Sequence, residues 1–439
     1  MLSGCTTLNF GVDTLLAAPK LTEEQSAIHE ALIAAVGNNL TLKYPKNGSN
    51  RSAYVIANVD SEPGDEAIVF YEYTGDSAEE GLRVNLLDKA TDGSWISVKE
   101  IAGAGKEVDQ VILTRMGPDS SQYFLVGYQT LSGDEKALEI YSYRSGDFTR
   151  IGTTTYSVLE TFDINGDGTN ELVTIRRQTN TETGQVTSKA ALLELKVEQG
   201  EDGTETEEVT LSQSIDMCDN VTSYAKAKAG RLADGRRALY VDSVNGEGQL
   251  QTELVYYRYS ALQNPMQLRS EKLLPVCTRP TGFYSTDIDG DGIIEIPSVK
   301  PMLGYENAVT EEQVYLTNWT VYKDFYELET KYSGYYDVSD GYAMMFPSRW
   351  ADQVTVRKDA STGEAVFYKY GGDINADMTE LMRVAVAAKQ QSESYLFDGY
   401  VTVKSAGQLD YLVKLPTNKR EQLILTIDEV TNNFYIAGS

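Results

Sequence analysis

Histidine is almost absent from this chain of 439 residues, which contains one, His29. Zinc sites of the Cys/His type need several such ligands, and Ser-His or Cys-His nucleophilic catalysis needs at least one well-placed His. We expect His29 to lie beside the apolar face of a helix, in a surface or packing role. Because only three cysteines accompany it, the sequence predicts neither a Cys/His zinc centre nor a His-dependent hydrolase.

Positive charge and long apolar runs are also scarce. The 65 acidic residues outnumber the 38 basic ones, which gives a net charge of −27. A surface of this sign repels phosphate backbones, so nucleic-acid binding is not expected, and it tolerates divalent cations. The chain has no run of 18 apolar residues, the length that a membrane-spanning helix needs. Its 41% hydrophobic and 23% charged residues are typical of folded globular domains.

The first residues resemble a bacterial lipobox, in which small residues precede a cysteine that is acylated and becomes the N-terminus. Leu2-Ser3-Gly4-Cys5 has this form. On this interpretation residues 1–19 are a lipobox and tether, and Cys5 is the lipidation site. The protein is then extracytoplasmic and meets the membrane only through its lipid anchor. The alternative is a cysteine that stands by chance in a flexible terminus.

Residues 20–38 are predicted to form an N-terminal helix. Thr22 can cap it, with Gln25 three residues later completing a capping box. Gly37 stands where a helix-terminating glycine belongs.

Residues 39–336 have the texture of an all-β region with an internal repeat. Short runs rich in Val, Ile, Thr and Tyr alternate with Gly, Asp, Ser and Asn turns. Each repeat is a strand, an acidic or Gly-containing loop and a second strand, and it recurs roughly every 50–65 residues. The five repeats begin at Ser52, Asp109, Ser157, Ser223 and Gly282. This period predicts a β-propeller of about five blades, with residues 39–45 pairing with the last blade to close the ring.

Residues 337–439 are predicted to form a small α+β domain, a single antiparallel sheet with helices on one side. The helical candidates are residues 375–384 and 418–430. Cys218 and Cys277 stand at similar places in the fourth and fifth repeats. Equivalent positions of neighbouring blades lie too far apart for a disulfide, so we expect two free, half-buried thiols.

Two repeats carry an oxygen-rich loop of one pattern, "DINGDGTNE" at 163–171 and "DIDGDGIIE" at 287–295. Alternation turns the oxygens inward, and a glycine permits the sharp turn. Hard oxygen ligands in a flexible loop suit Ca²⁺. The predicted ligands of the first loop are Asp163, Asn165, Asp167, the Thr169 carbonyl and Glu171. Those of the second loop are Asp287, Asp289, Asp291, the Ile293 carbonyl and Glu295.

These loops resemble the FG-GAP and VCBS repeats of integrin-like β-propellers. The last carboxylate comes at the ninth position and a strand follows, which excludes an EF-hand. In those families, D-x-[DN]-x-D-G-x-x-[DE] loops between the first two strands of a blade bind calcium. The resemblance covers roughly residues 40–335 and is specific at two loops. It implies two calcium sites, and we expect a structural role because no acid, base or open cleft accompanies the ligands.

The other repeats depart from the pattern. The first offers four possible ligands, but Pro63 replaces the turn glycine, so metal binding there stays open. Those four residues are Asn58, Asp60, Glu62 and Glu66. The second repeat has lost its ligands for the most part, and the fourth places Arg236 and Arg237 where a cation would lie.

The sequence therefore predicts a non-enzymatic, monomeric, lipid-anchored protein that binds a protein, a glycan or an envelope component. Tyrosine occurs 29 times, and clusters such as Val255–Tyr259 and Tyr332–Val338 either contact such a ligand or pack as half-buried rings. The alternative function is a carboxylate-dependent glycosidase or polysaccharide lyase, which uses two carboxyl groups about 5–9 Å apart. A third possibility is a spacer that lifts the terminal domain off the membrane.

Overall fold

A computed structural model describes the protein at residues 21–60, 62–74, 81–117, 121–131, 135–144, 146–201, 203–265, 278–324, 327–417 and 420–437. The predicted lipobox and tether with Cys5 lie outside the described residues, and so does Cys277. Cys218 is a free, half-buried thiol, as predicted.

The fold is mainly β, and the described residues form six antiparallel sheets, numbered here along the chain. The chain divides into two compact units, Met1–Thr155 with Leu195–Thr210, and Tyr156–Glu194 with Leu211–Ser439. Sheets 1 and 2 belong to the first unit, and sheets 4 to 6 belong to the second. Of the helices that the structure describes, none is long and apolar enough to cross a bilayer.

Helix α1 (Glu23–Val36) confirms the predicted N-terminal helix. Thr22 and Gln25 form its capping box, in which each side chain accepts the other residue's N–H at 3.1 Å. Gly37 ends the helix with a φ of 88°, a backbone conformation that favours glycine. His29 contacts the hydroxyl of Tyr54 at 2.9 Å, which places it in the expected packing role.

The first unit packs α1 and two sheets in layers. Sheet 1 consists of β1 (Leu40–Leu42), β2 (Tyr54–Ala57), β3 (Glu66–Tyr73), β4 (Leu82–Lys89) and β5 (Trp95–Ala102). Sheet 2 consists of β6 (Glu107–Thr114), β7 (Tyr123–Gln129), β8 (Lys136–Arg144) and β9 (Asp147–Tyr156). Side chains alternate along β3, so one face of sheet 1 packs on α1 and the other packs on sheet 2.

The expectation that residues 39–45 pair with the last blade is wrong. β1 pairs with β3 of sheet 1, where Leu40 lies opposite Tyr73. Leu40 and Leu42 join the apolar cluster under α1. The strand therefore stays beside the helix that precedes it and extends the nearest sheet.

The second unit continues with sheets whose strands follow each other in chain order. Sheet 3 consists of β10 (Val158–Phe162), β11 (Glu171–Thr179), β12 (Val186–Gln199) and β13 (Glu205–Asp216), the ends of the last two belonging to the first unit. Sheet 4 consists of β14 (Val221–Arg231), β15 (Arg237–Asn245), β16 (Leu250–Arg258) and β17 (Ala261–Gln263). Sheet 5 contains β18 (Ile296–Pro301), β19 (Tyr315–Asp324), β20 (Glu327–Asp337) and β21 (Tyr342–Met345). Apolar clusters join sheet 3 to sheet 4 and sheet 4 to sheet 5.

Sheet 6 follows in the order β22, β23, β24, β26, β25. Its strands are β22 (Val354–Lys358), β23 (Ala365–Lys369), β24 (Thr379–Ala388), β25 (Val401–Ala406) and β26 (Leu409–Lys414). Helices α2 (Ser392–Phe397) and α3 (Ile427–Asn433) accompany it, with 3-10 turns at Thr310–Glu312, Ser348–Trp350 and Lys389–Gln391. The last strand, β27 (Phe434–Ile436), returns to pair with β21 of sheet 5. A large apolar cluster joins sheets 5 and 6.

The helix predicted at residues 375–384 is wrong. This segment enters β24, which pairs with β23 on one side and β26 on the other. Two rows of backbone hydrogen bonds and burial of both faces outweigh its local helical pattern. Of residues 418–430, the part from Ile427 enters α3, which Thr426 caps together with Glu429.

Candidate metal-binding loops

The first oxygen-rich loop joins β10 to β11 and folds around Asp163. One carboxylate oxygen of Asp163 accepts the Gly166 N–H at 2.6 Å, and the other accepts the Gly168 N–H at 3.0 Å. Both glycines have positive φ, 84° and 95°, a conformation that glycine adopts without steric cost. Asp163 is 4% exposed, so the turn is organised around a nearly buried carboxylate.

Glu171, the first residue of β11, closes the same loop. Its Oε2 accepts the buried N–H of Ile164 at 2.9 Å, and its Oε1 accepts the Asn165 amide at 2.8 Å. Burial raises the pKa of Glu171 to about 7, because desolvation outweighs the bond from Ile164. Asp167 accepts both the hydroxyl and the N–H of Thr169, which hold the pKa of Asp167 below its usual range.

The carboxylates of the first loop lie close enough together to share one metal ion. Carboxylate oxygens of Asp163, Asp167 and Glu171 all lie within 4.8 Å of one another. Oxygens bound to one Ca²⁺ at ~2.4 Å lie at most about 5 Å apart. Asn165 donates its amide to two of these carboxylates, and its oxygen accepts the N–H of Asp167 at 2.8 Å. To reach a shared ion, this oxygen would have to leave the Asp167 N–H by a flip of the amide. Arg237 of β15 reaches the loop from sheet 4, with Nη1 3.3 Å from one oxygen of Asp163.

The second loop, from Asp287 to Glu295, repeats this folding. Asp287 accepts the N–H groups of the two loop glycines at 2.7 and 2.8 Å. Glu295 accepts the N–H of Ile288 at 2.9 Å, as Glu171 does in the first loop. Carboxylate oxygens of Asp287, Asp289 and Glu295 again lie within 4.8 Å of one another. The sequence repeat is therefore also a repeat of hydrogen bonds.

A lysine of β20 reaches into the second loop. Nζ of Lys331 lies 2.7 Å from Asp289, 2.6 Å from Asp291 and 2.9 Å from Glu295. Tyr332 donates its hydroxyl to the same oxygen of Asp289 at 2.7 Å. Burial alone would lower the pKa of Lys331, but the bonds to three carboxylates raise it well above its usual range. The ammonium group therefore stays charged.

Ile293, whose carbonyl is a predicted ligand of the second loop, stands at the centre of a strand contact that its two neighbours make. Ile293 forms a parallel bridge with Arg231 at the end of β14. The neighbouring groups complete it, since the Arg231 N–H donates to the Gly292 carbonyl at 3.0 Å. This contact fixes the second loop against sheet 4.

The loop of the first repeat keeps the bond between its last carboxylate and the N–H of its second residue, but it does not keep the group of three neighbouring carboxylates. Glu66 accepts the N–H of Val59 at 2.7 Å, and burial raises the pKa of Glu66 to about 7. The side-chain amide of Asn58 donates to two carbonyls of its own loop, and Asp60 accepts the Glu62 N–H. Among the described residues, which omit residue 61, the acidic clusters able to share one ion lie in the other two loops.

Lys331 and Tyr332 are the site residues that sequence reasoning missed. Lys331 stands 36 positions after Glu295, and only the pairing of β18, β19 and β20 brings the two together. No short motif signals such a contact. Arg237 was expected to place its charge in the loop of its own repeat, yet it contacts Asp163 of the preceding one.

A cavity of about 730 Å³ lies beside sheet 5 in the second unit. Its apolar wall includes Met302, Leu316 and Phe346, and its polar wall includes Asn318 and Ser333. The hydroxyl of Ser333 donates to Asn318 at 2.6 Å, which orients both groups. The volume is within the range of small-molecule sites in proteins.

The tyrosine clusters pack for the most part inside the fold. Tyr256 is 4% exposed and Tyr335 is 5% exposed, each within an apolar cluster. Tyr332 and Tyr336 are half-buried. Tyr259 is 80% exposed, and the guanidinium of Arg258 lies over its ring, 4.7 Å from the ring centre. The half-buried interpretation is therefore favoured for these clusters.

No protein-family model matches this sequence, and no curated protein matches it. Three solved structures that overlap it are rhamnogalacturonan lyases. The Bacillus licheniformis enzyme PL11 has a TM-score of 0.29 at 9% identity, over 77% of each chain. The exotype lyase YesX has 0.30 at 11%, over 78% of this chain and 74% of that one. The lyase YesW has 0.29 at 10%, over 78% and 76%. At such TM-scores the likeness carries no argument about function.

Proposed function

We propose that the chain is a non-catalytic, lipid-anchored binding protein of the cell exterior, built on a calcium-stabilised β-propeller. Its ligand is a protein, a glycan or an envelope component. The observation that carries the binding role is the cavity of about 730 Å³ beside sheet 5, where an apolar wall faces the oriented pair Asn318 and Ser333. Such a mixture of apolar surface and a few fixed polar groups is typical of binding sites.

The propeller part of the proposal assigns sheets 1 to 5 to successive blades within residues 39–336. Two observations support it. Sheets 2, 3 and 4 each consist of four antiparallel strands in chain order, and sheet 5 begins with four such strands. Neighbouring sheets of one unit share apolar clusters, sheet 1 with sheet 2, sheet 3 with sheet 4 and sheet 4 with sheet 5. Blades of FG-GAP and VCBS type combine these features with acidic loops between the first two strands.

In this proposal the first loop binds Ca²⁺ as part of the scaffold. Asp163, Asp167 and Glu171 supply carboxylates, and Asn165 supplies an amide oxygen. The ion neutralises charge that otherwise accumulates in a nearly buried turn. It stabilises the folded state by mass action, about 2.7 kcal/mol at a hundredfold excess over Kd.

The glycosidase or lyase alternative needs a pair of carboxyl groups at the cavity. Glu306 and Asp352 line it, and both oxygens of Glu306 accept the Gly304 N–H of the adjoining turn. Burial raises the pKa of Glu66, Glu160 and Glu171, but none of the three lines the cavity. These contacts support a binding role over a catalytic one.

A direct binding assay tests the proposal. Purified protein is screened against immobilised glycans and envelope polymers, and each polymer bound is then assayed for chain cleavage. Ser333→Trp fills the cavity and is expected to abolish binding, whereas Val309→Trp, at a residue 59% exposed and outside the lining, is expected to retain it. Cleavage of a bound polymer would establish the enzyme instead.

Calcium and the anchor have separate tests. The melting temperature should rise with Ca²⁺ and fall with chelator, and Asp163→Asn should remove this difference. In the bacterial membrane, Cys5→Ala should lose a metabolic fatty-acid label and release the protein. An unchanged melting temperature under chelation removes the metal from the proposal without affecting the binding assay.

A further inference from the structure

The two oxygen-rich loops have one sequence pattern but unequal surroundings. In the second loop, Nζ of Lys331 lies 2.6–2.9 Å from one oxygen each of Asp289, Asp291 and Glu295. An ammonium group has three N–H donors and no acceptor, so three carboxylates satisfy it completely. Glu295 is fully buried and Lys331 is 23% exposed, which shields the contact from water.

A β-bulge aims Lys331 at this loop. Along the pairing of β19 with β20, Trp319 lies opposite Tyr332 and Thr320 lies opposite Thr330. Lys331 is the extra residue between them and has no partner on β19. Bulges redirect a side chain away from the regular alternation of a strand. Lys331 therefore reaches the loop through a local backbone feature and not by the chance swing of a surface lysine.

We infer that Lys331 is the resident cation of the loop from Asp287 to Glu295, and that this loop binds no calcium. The ammonium group lies against the same carboxylate oxygens that the ion would need. Because it is part of the chain, it competes at a high effective concentration that dilution cannot lower. Tyr332 adds to this, since its hydroxyl bond to Asp289 must also break before the ion enters.

Within the part of the chain that the structure describes, the first loop has no equivalent cation at its centre. Arg237 contacts Asp163 alone, at 3.3 Å, and is 47% exposed. Asp167 and Glu171 face the neutral amide of Asn165. The inference rests on the proposed function for the first loop only, and it replaces the two calcium sites expected from the sequence with one ion and one lysine.

Calcium stoichiometry tests the inference. Equilibrium dialysis or isothermal titration is expected to give one equivalent for the wild type and two for Lys331→Met, which keeps the aliphatic stem and removes the charge. Asp287→Asn in the Lys331→Met background should return the count to one, which assigns the gained site to the second loop. Equal counts for wild type and Lys331→Met, or two equivalents in the wild type, overturn the inference.

Two controls separate charge from shape. Lys331→Arg keeps a positive group at the loop and should keep the wild-type count. Lys323→Met removes another lysine of sheet 5, one that pairs with Glu329 at the surface, and should also leave the count unchanged. A wild type without calcium and a Lys331→Met variant with one equivalent would refute the proposed first-loop site while supporting this inference.

Terbium luminescence provides a measurement in a chain that keeps Lys331. An ion in the second loop would lie next to Tyr332 and take up its excitation energy, because the Tyr332 hydroxyl is 2.7 Å from Asp289. Tyr332→Phe is therefore expected to leave the tyrosine-sensitised terbium emission of the protein unchanged. A loss of half or more of that emission would place an ion in the second loop and overturn the inference, even if Lys331→Met fails to fold.

Discussion

Oε2 of Glu171 accepts the backbone N–H of Ile164 at 2.9 Å, so the last carboxylate of the loop closes onto its second residue. Glu295 has the same relationship with Ile288, and Glu66 has it with Val59. The closure thus persists in the first repeat, where the ion-sharing cluster is lost. The closing bond is therefore a feature of the turn in all three loops, whereas the carboxylate cluster that could hold an ion is found in two of them.

Glu66→Ala should destabilise the protein with or without calcium. The substitution leaves the N–H of Val59 buried without its acceptor, which costs about 1–3 kcal/mol. Glu66→Gln keeps an acceptor oxygen and should cost much less. Glu62→Ala, at an exposed residue of the same loop, serves as the control and should lie within about 0.5 kcal/mol of the wild type. Urea denaturation with and without chelator measures all three. Equal midpoints for Glu66→Ala and Glu62→Ala would show that the closure is dispensable.

Local patterns predicted those parts of the fold that neighbouring residues determine. The capping box of Thr22 and Gln25, the strand that follows each loop and the turns of both loops follow from residues within about ten positions. These features are confirmed because each depends on contacts that the sequence displays directly. The strand predicted before the second loop is reduced to an isolated bridge of Thr286 with Glu295.

The errors concern which strands pair with each other. The segment at 375–384 has a pattern compatible with a helix, and its conversion to strand depends on β26, which lies beyond residue 408. β1 was expected to pair with the last blade and instead pairs with β3. The contact of Lys331 with the second loop depends on the register of β19 and β20. For residues 375–384 and for Lys331 a partner from a distant segment decides the outcome, whereas β1 takes the nearer of its two possible partners.

Glu160→Gln should stabilise the protein at high pH only. Glu160 lies on β10 between Val158 and Phe162, on the face that packs on an apolar cluster. Burial raises the pKa of Glu160 from 4.5 to about 7, so the folded state holds the proton more tightly than the unfolded chain does. Ionisation of Glu160 therefore lowers the free energy of unfolding. This loss is absent below pH 4.5, grows between pH 4.5 and 7, and is complete above pH 7.

The rise in the pKa of Glu160 corresponds to at most about 3 kcal/mol. Glu160→Gln should recover part of this at pH 8 and nothing at pH 4. Glu182→Gln, in an exposed turn of the same sheet, should change neither value. Urea midpoints at the two pH values provide the measurement. A gain of equal size at pH 4 would mean that packing and not ionisation is responsible.

Arg279→Met should destabilise the second unit strongly. Arg279 has a fully buried side chain and donates to Asp242 at 2.9 Å and to Thr252 at 2.7 Å. Asp242 in turn accepts the N–H of Ser285 at 2.6 Å, two residues before the second loop begins. Removing the guanidinium leaves a buried carboxylate without its counter-charge, which costs about 3–5 kcal/mol.

Arg349→Met is the matched control for Arg279→Met. Arg349 pairs with Glu429 at 2.6 Å, but the two side chains are 38% and 37% exposed. Solvent screens such a pair, so its loss should cost less than about 1 kcal/mol. Thermal and urea melts of both variants decide the comparison. Comparable losses would mean that the Arg279 network contributes no more than a surface pair.

Gly334→Ala should disrupt sheet 5 because a backbone, not a side chain, occupies the space beside Gly334. Gly334 lies on β20 between Thr317 of β19 and Met345 of β21. A Cβ at this position would overlap the carbonyl oxygen of Met344 and lie 2.9 Å from Cα of Met345. Neither group can rotate away as a side chain would, so the strands must separate.

We expect Gly334→Ala to cost several kcal/mol, in the range of severe overpacking. Gly371→Ala is the control, because a Cβ there meets nothing within 4 Å and its φ is not positive. That substitution should be neutral or stabilise by about 0.4–1 kcal/mol through the unfolded chain. Since β20 also carries Lys331, Gly334→Ala should loosen the second loop, and hydrogen exchange of the Ile288 N–H should accelerate with it. If the melting temperature fell but the exchange rate of the Ile288 N–H did not change, the second loop would be independent of β20.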